Sequence, residues 1–348
     1  MKLNKLNEIE PLVRLSFPFS NNELLIAYQG PNLVPSWEQS LRQEKWFRLF
    51  LPHELNGSQL NMKEGLYYLV ELAKFHGSLG WRVNLGAGAA FFAGSMSYQT
   101  AKKIYGFQGA CLAGSGSPTG TAGYQSGYWK VSGSWRYCTG ALTSTAFTVN
   151  AKTKSGIIKT FILDPQCVHI SKDWTCFALK STQTYSIQVN NCIIPASNSF
   201  RINAKNNFPN YNLYNIDFNL FARFCMTASL LGMCYCFLRH YVSEVQLIRQ
   251  RNLRHVKMLI YQLFQLCRNL ENDLYKLAEK VFKEAKYLYF GRNLNQNFSQ
   301  KFFPKLKILE EISFRIFSDS GLHLCSEHSL AHQALRDFWL AARHSLLS

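Results

Sequence analysis

Carboxylates are what this chain most conspicuously lacks. Its 348 residues hold 21 Asp or Glu against 38 Lys or Arg, a formal net charge of +17. The deficit is local, since residues 101–200 carry nine Lys or Arg but only Asp164 and Asp173, and residues 110–141 carry no acid at all. The balance therefore reflects missing acids as much as added bases, and no basic tail accounts for it. Such a surface suits an anionic partner; the plain alternative is a solvated basic exterior. Paired cysteines are missing too. The ten cysteines form no C-x-x-C, and the close pair Cys234 and Cys236 would point in different directions on a helix. This is the pattern of a reducing, cytoplasmic compartment and excludes a disulfide scaffold. The nine histidines show no metal-ligand spacing, and the run from His323 to His332 lacks the cysteine pairs of a zinc module, so no metal site is expected. No signal peptide is expected either, because Glu8 and Glu10 follow Lys2 and Lys5 before any apolar core. Long apolar runs reduce to residues 219–238, which contain Arg223 and continue in helical pattern through His240 and Tyr241. This run reads as a buried bundle helix rather than a membrane span.

With 47% hydrophobic residues, the chain can bury a large core in two or three structural units. Its centre of gravity is the acid-free stretch 110–141, where glycines punctuate short strands such as Tyr128-Trp129-Lys130-Val131 and Trp135-Arg136-Tyr137. Small polar groups beside flat aromatic walls suit a planar, hydrogen-bonding anionic ligand, a description that a flavin fits. The plain reading is ordinary turns in a half-exposed sheet.

Upstream, Pro11, Pro18, Pro31 and Pro35 mark residues 1–35 as a short helix with an irregular lead-in. A helix is expected over 38–51, a turn over 52–57, and an amphipathic helix from Met62 with Leu66, Leu69, Val70 and Ala73 on one face and Gly77 as its stop. A glycine- and alanine-rich helix over about 85–105 follows. Downstream, residues 156–163 and 187–194 read as strands. From Leu213 onward the pattern gives helices over about 213–246, 251–290, 299–318 and 326–346, an antiparallel four-helix bundle. The fold class is α+β.

The order of these pieces resembles the acyl-CoA dehydrogenase superfamily, and within it the two-component flavin monooxygenases typified by p-hydroxyphenylacetate hydroxylase. Residues 52–57 stand where the family has a P-x-x-x-G-G turn. Ala73-Lys74-Phe75-His76-Gly77-Ser78-Leu79-Gly80-Trp81 matches A-x-x-D-G-S-x-G-W, with His76 in place of the aspartate. Pro118-Thr119-Gly120-Thr121-Ala122 leads into Gly127-Tyr128-Trp129-Lys130-Val131-Ser132-Gly133-Ser134-Trp135 and the turn Tyr137-Cys138-Thr139-Gly140. Asp173-Trp174 and Leu179-Lys180-Ser181-Thr182-Gln183-Thr184 are similar to W-x-x-x-G-L-R-x-T-x-S, and Arg336-Asp337 is followed by His344 on the last helix.

The resemblance implies an N-terminal helical domain (1–108), a middle β-barrel or β-sandwich domain (109–205) and a C-terminal four-helix bundle (206–348), assembled as a homodimer or homotetramer. It implies FAD or FMN, supplied reduced by a separate flavin reductase, and oxygen transfer to a small-molecule substrate. Thr139 takes the place of the hydroxyl at flavin N5, Tyr137 the aromatic beside the ring, and the backbone of Leu112, Ala113, Gly114 and Gly116 the ring-edge contacts. His344 is the second catalytic candidate with Thr139. The two places where acyl-CoA dehydrogenases carry their glutamate base hold Ala222 and Ser345, and neither can take a proton from carbon. Arg249, Arg251 and Arg254 are candidates to meet a phosphate. The alternatives are an acyl-CoA dehydrogenase-like enzyme with another base, acting on an acyl-CoA, and a non-catalytic basic binding protein; nucleic acid is the least expected partner, and no membrane partner is expected.

Overall fold

The computed structural model describes residues 20–246, 253–288 and 290–347. Pro11 and Pro18 of the expected lead-in lie outside them, as do Arg249 and Arg251, and so does the side chain of Arg254.

Helix α1 (Asn21–Gln29) begins at a capping box in which the Ser20 hydroxyl accepts from the Glu23 amide and the Glu23 carboxylate accepts from the Ser20 amide. Helix α2 (Pro35–Gln43) starts on proline, whose missing N–H costs nothing in a first turn. The helix expected over 38–51 stops here. Lys45 turns to φ 59° and a short 3-10 turn, Trp46–Arg48, takes over. The reason is burial: residues 46–51 are all buried, which one face of a surface helix cannot achieve. Buried Arg48 then pins the chain ahead of the sheet by donating to the carbonyls of Leu55, Tyr105, Phe107 and Gln108.

Helix α3 (Met62–Phe75) opens on a second capping box, Asn61 with Glu64, and ends before Gly77 as its pattern predicts. The next helix differs from the expectation. Helix α4 (Gly77–Ala89) starts at once after the extended His76, gives way to a 3-10 stretch, Ala90–Ser95, and Ser97 caps a separate helix α5 (Tyr98–Tyr105). The Gly/Ala run therefore lies in α4 and the 3-10 stretch, and the helix breaks within it at Ala90, before Ser97 starts α5.

The middle of the chain forms one seven-stranded sheet in the order β5-β6-β2-β1-β3-β4-β7. Its strands are β1 (Leu112–Gln125), β2 (Tyr128–Cys138), β3 (Ala146–Thr153), β4 (Ile158–Leu163), β5 (His169–Ser171), β6 (Tyr185–Pro195) and β7 (Ser199–Phe200). Ser126 and Gly127, both at positive φ, make the two-residue turn between β1 and β2. Strand β1 then runs parallel to β3. Val131, Trp135, Phe147, Val149, Phe161 and Ile187 fill the sheet's own core.

The bundle is α6 (Phe218–Gln246), α7 (Leu253–Glu284), α8 (Leu294–Asp319) and α9 (Leu330–Ala341), close to the expected spans. Helix α6 is its axis, packing on α3, α4, α7, α8 and α9. The segment 218–244 has a mean hydropathy of 1.5 over its most apolar window, and 94% of that window is buried, so the apolar run is a core helix as its pattern predicts. Between α3, α6 and α7, Lys74 meets Glu71 at 2.7 Å and Glu271 at 3.6 Å, a buried ion cluster capped by the Tyr235 and Tyr275 hydroxyls.

Candidate functional site

Strands β1 and β2 pair only over Thr121–Gln125 and Tyr128–Ser132. Beyond that they separate. Leu112, Ala113, Gly114 and Ser115 stay on β3, opposite Ala146, Phe147, Thr148 and Val149, while Gly133, Ser134 and Trp135 pair with β6. The split leaves the β2-facing edge of residues 112–118 without a strand partner, and the Thr119 hydroxyl closes its lower end on the Ser134 carbonyl at 2.6 Å. This cleft brings together the ring-edge candidates of the sequence reading. A Cβ on Gly114 would collide with the Thr148 carbonyl oxygen, so that glycine serves the pairing with β3. A Cβ on Gly116 would meet nothing within 4 Å. Gly116 lies in the exposed bulge of β1 between Ser115 and Gly120, where that Cβ would point into solvent.

The turn after β2 lies at the other end of the split. Tyr137 and Gly140 hold φ 66° and 74°. The amides of Gly140 and Ala141 donate to the carbonyls of Thr182 and Gln183 at 3.0 and 3.2 Å, which locks this turn onto a second one. In that second turn Leu179 and Gln183 take φ 50° and 52°. Left-handed backbone costs a residue with a Cβ roughly 1–2 kcal/mol, so both turns depend on their hydrogen bonds. Thr139 is buried, with its hydroxyl 2.9 Å from that of Thr184; Thr184 is 2.8 Å from Thr182; and Thr182 donates to the Leu179 carbonyl at 2.7 Å. The Leu179 amide donates to Asp337 Oδ1 at 2.6 Å.

Tyr137 is 60% exposed, with its ring edge-on to Trp174 at 6.2 Å and the Arg136 guanidinium 5.1 Å from its centre. His344 follows α9, half-buried, with its ring edge-on to Trp81 at 5.6 Å and its Nδ1 accepting from the Leu346 amide at 3.3 Å. Burial lowers its pKa, which keeps the imidazole neutral at pH 7. Thr139 and His344 do not touch. Helix α4 joins them: Trp81 meets His344, and Arg82 ion-pairs with Glu38, donates to Thr143 Oγ1 at 2.5 Å and comes up beneath Gly140. Ala222 is buried on α6 and Ser345 lies in the final 3-10 turn, so no carboxylate fills either base position.

Sequence reasoning missed four groups that build this site. Arg82 gave no signal beyond its place after Trp81. Thr182, Thr184 and Asp337 served only as marks of resemblance, although together they carry the Thr139 turn. His76, read as a substitution for an aspartate, is fully buried, 4.0 Å from the Tyr28 ring and 5.1 Å from Trp37, with neither ring nitrogen hydrogen-bonded among the described residues. Burial, helped by the nearby Arg239 charge, pushes its pKa down to about 3. Burial pushes Asp337 the other way, up to about 7, against the lowering effect of the Leu179 amide.

The residues here are of the kind a flavin takes: an unpaired strand edge at 112–118, an exposed flat aromatic at Tyr137 and a hydroxyl at Thr139. No protein-family model and no curated protein matches the chain. Solved structures do. XiaF from Streptomyces sp., in complex with FADH2 and glycerol, superposes with a TM-score of 0.85 at 14% identity, covering 99% of this chain and 92% of that one. The HsaA monooxygenase from M. tuberculosis gives 0.81 at 16% identity, with 99% and 93% covered. FMN-bound TdsC from a Paenibacillus species gives 0.78 at 13% identity, with 98% and 94% covered. At these identities the likeness is one of fold, and it spans nearly the whole of each chain. The chain has the acyl-CoA dehydrogenase-like fold in the form these monooxygenases share.

Proposed function

We propose that the chain is a flavin-dependent oxidoreductase of the monooxygenase type, which takes up reduced FMN or FAD in the cleft between residues 112–116 and the turn at 137–140. The observation that carries this reading is the split between β1 and β2, which leaves the backbone edge of residues 112–118 without a strand partner, in a fold shared with proteins solved with FADH2 and with FMN. Bound reduced flavin would supply the electrons that activate dioxygen for insertion into a substrate.

The chain's own residues have separate tasks. The backbone of Leu112, Ala113, Gly114 and Gly116 binds the ring edge, and Tyr137 covers its face. Thr139 places an oxygen beside the ring nitrogen N5. His344, held neutral by burial and seated on Trp81, keeps a nitrogen available to take or hold a proton, while the Trp81 indole excludes water there. The division into residues 1–108, 109–205 and 206–348, a cytoplasmic homodimer or homotetramer and a separate flavin reductase belong to the same reading. An acyl-CoA dehydrogenase reaction is disfavoured because its base positions hold Ala222 and Ser345.

Anaerobic titration of the purified protein with reduced FMN and reduced FAD, followed by flavin fluorescence and then by mixing with oxygen, tests the reading. Saturable uptake of one reduced flavin with altered re-oxidation kinetics is the expected result. Uptake of neither would end it, and bleaching of bound oxidised flavin by an acyl-CoA would replace it with the dehydrogenase.

A further inference from the structure

We infer that Thr182 and Thr184 are positioning residues that fix Thr139 as a hydrogen-bond acceptor toward the cleft, so that the site selects a ring nitrogen bearing a proton over one that bears none. The inference rests on the flavin reading and adds to it a device for choosing the redox state bound.

The direction of the chain follows from counting protons. A threonine hydroxyl has one proton to donate and two lone pairs to accept with, whereas a carbonyl can only accept. The Leu179 carbonyl is therefore a fixed end. The Trp174 indole N–H donates to it at 3.1 Å and the Thr182 amide at 3.3 Å, which hold it in place. Thr182, at 2.7 Å, must give its proton to that carbonyl. Having none left, Thr182 can only accept from Thr184 at 2.8 Å, and Thr184 in turn can only accept from Thr139 at 2.9 Å. All three protons run toward the Leu179 carbonyl, and Thr139 is left with lone pairs alone to offer.

Nitrogen N5 of an oxidised flavin is an acceptor, and in reduced flavin it carries a hydrogen. An acceptor facing an acceptor leaves both unsatisfied, while an acceptor facing N–H makes a bond. The difference between a made and an unmade buried hydrogen bond is worth about tenfold or more in affinity. A lone hydroxyl would rotate to serve either form. The two further threonines remove that freedom.

The test is the ratio of dissociation constants for oxidised and reduced flavin, measured anaerobically on the full-length protein, with Thr184→Val, Thr184→Ser and Thr182→Val compared with the parent. The parent should hold reduced flavin more tightly. Thr184→Val removes the acceptor for the Thr139 proton, lets Thr139 donate, and should lower the preference by about tenfold, while Thr184→Ser keeps it. Thr182→Val lets the chain reverse and should act in the same direction, which covers the case where the Thr184→Val variant fails to fold. Mere loosening of the turn would weaken both forms alike and leave the ratio unchanged. An unchanged ratio in a folded valine variant overturns the inference with the flavin reading intact; a parent that binds neither form overturns both.

Discussion

On one side of Asp337, the hydroxyls of Thr139, Thr184 and Thr182 run into a carbonyl and every proton has an acceptor. On the other side, His76 is fully buried with both ring nitrogens unbonded among the described residues, while the Asp337 carboxyl, also buried, meets the backbone at Ser78. The two regions share the Asp337 side chain: its Oδ1 holds Leu179, and its Oδ2 lies where a Cβ on Gly77, the residue after His76, would collide with it. The first region fixes direction through paired neutral groups. The second fixes charge state through burial, leaving a histidine and a carboxyl with pKa values moved in opposite directions. A satisfied network specifies geometry, and an unsatisfied one specifies protonation.

Asp337→Ala should break both regions at once. It orphans the Leu179 amide and leaves a cavity, so denaturant unfolding should show a loss of roughly 4 kcal/mol. A loss below about 1 kcal/mol would mean that Asp337 is not the shared anchor. Next comes the pH dependence. Asp337 has a folded pKa of about 7, above its ordinary 3.8, so the unfolded chain loses this proton first and stability falls as pH rises from about 4 to 7. His76 has a folded pKa of about 3, below 6.5, so the unfolded chain gains its proton first and stability falls as pH drops from about 6.5 to 3. The two slopes oppose each other in the parent. Asp337→Asn should expose the His76 slope and His76→Gln the Asp337 slope, each on the order of 4 kcal/mol across its window. Parallel stability curves for the two variants would show that the opposition is not there. The smallest effect belongs to the cleft: Gly116→Ala should change stability by no more than about 0.5 kcal/mol. Calorimetry and flavin titration together should find an unaltered melt with weakened uptake, and unaltered uptake would remove Gly116 from the site.

Much of this architecture was legible beforehand. The helices α6 to α9 announced themselves by long apolar periodicity, and the strands by the glycine-punctuated aromatic run around Trp135. The failures have physical causes. The helix expected over 38–51 failed because residues 46–51 bury every side chain, which depends on what α3 and α4 present to them. The helix over 85–105 failed because its glycines, Gly86, Gly88 and Gly94, weaken it where the chain tightens into the 3-10 stretch Ala90–Ser95, and Ser97 then caps a new helix. At the site, Thr139 could be placed from its turn sequence. Thr184, 45 positions further on, could not be recognised as its acceptor, because that pairing arises only when two left-handed turns are tied together.

The sequence by itself determined the elements and their order, the acid-free lining and the empty base positions at Ala222 and Ser345, because periodicity, capping and residue identity are local properties. Only the tertiary structure decided that β1 and β2 part beyond Thr121, that Arg82 lies beneath Gly140, that Asp337 anchors Leu179, and that the hydroxyls of Thr139, Thr184 and Thr182 line up to the Leu179 carbonyl. Each of these depends on which distant groups are brought within hydrogen-bond reach, and packing alone sets those distances.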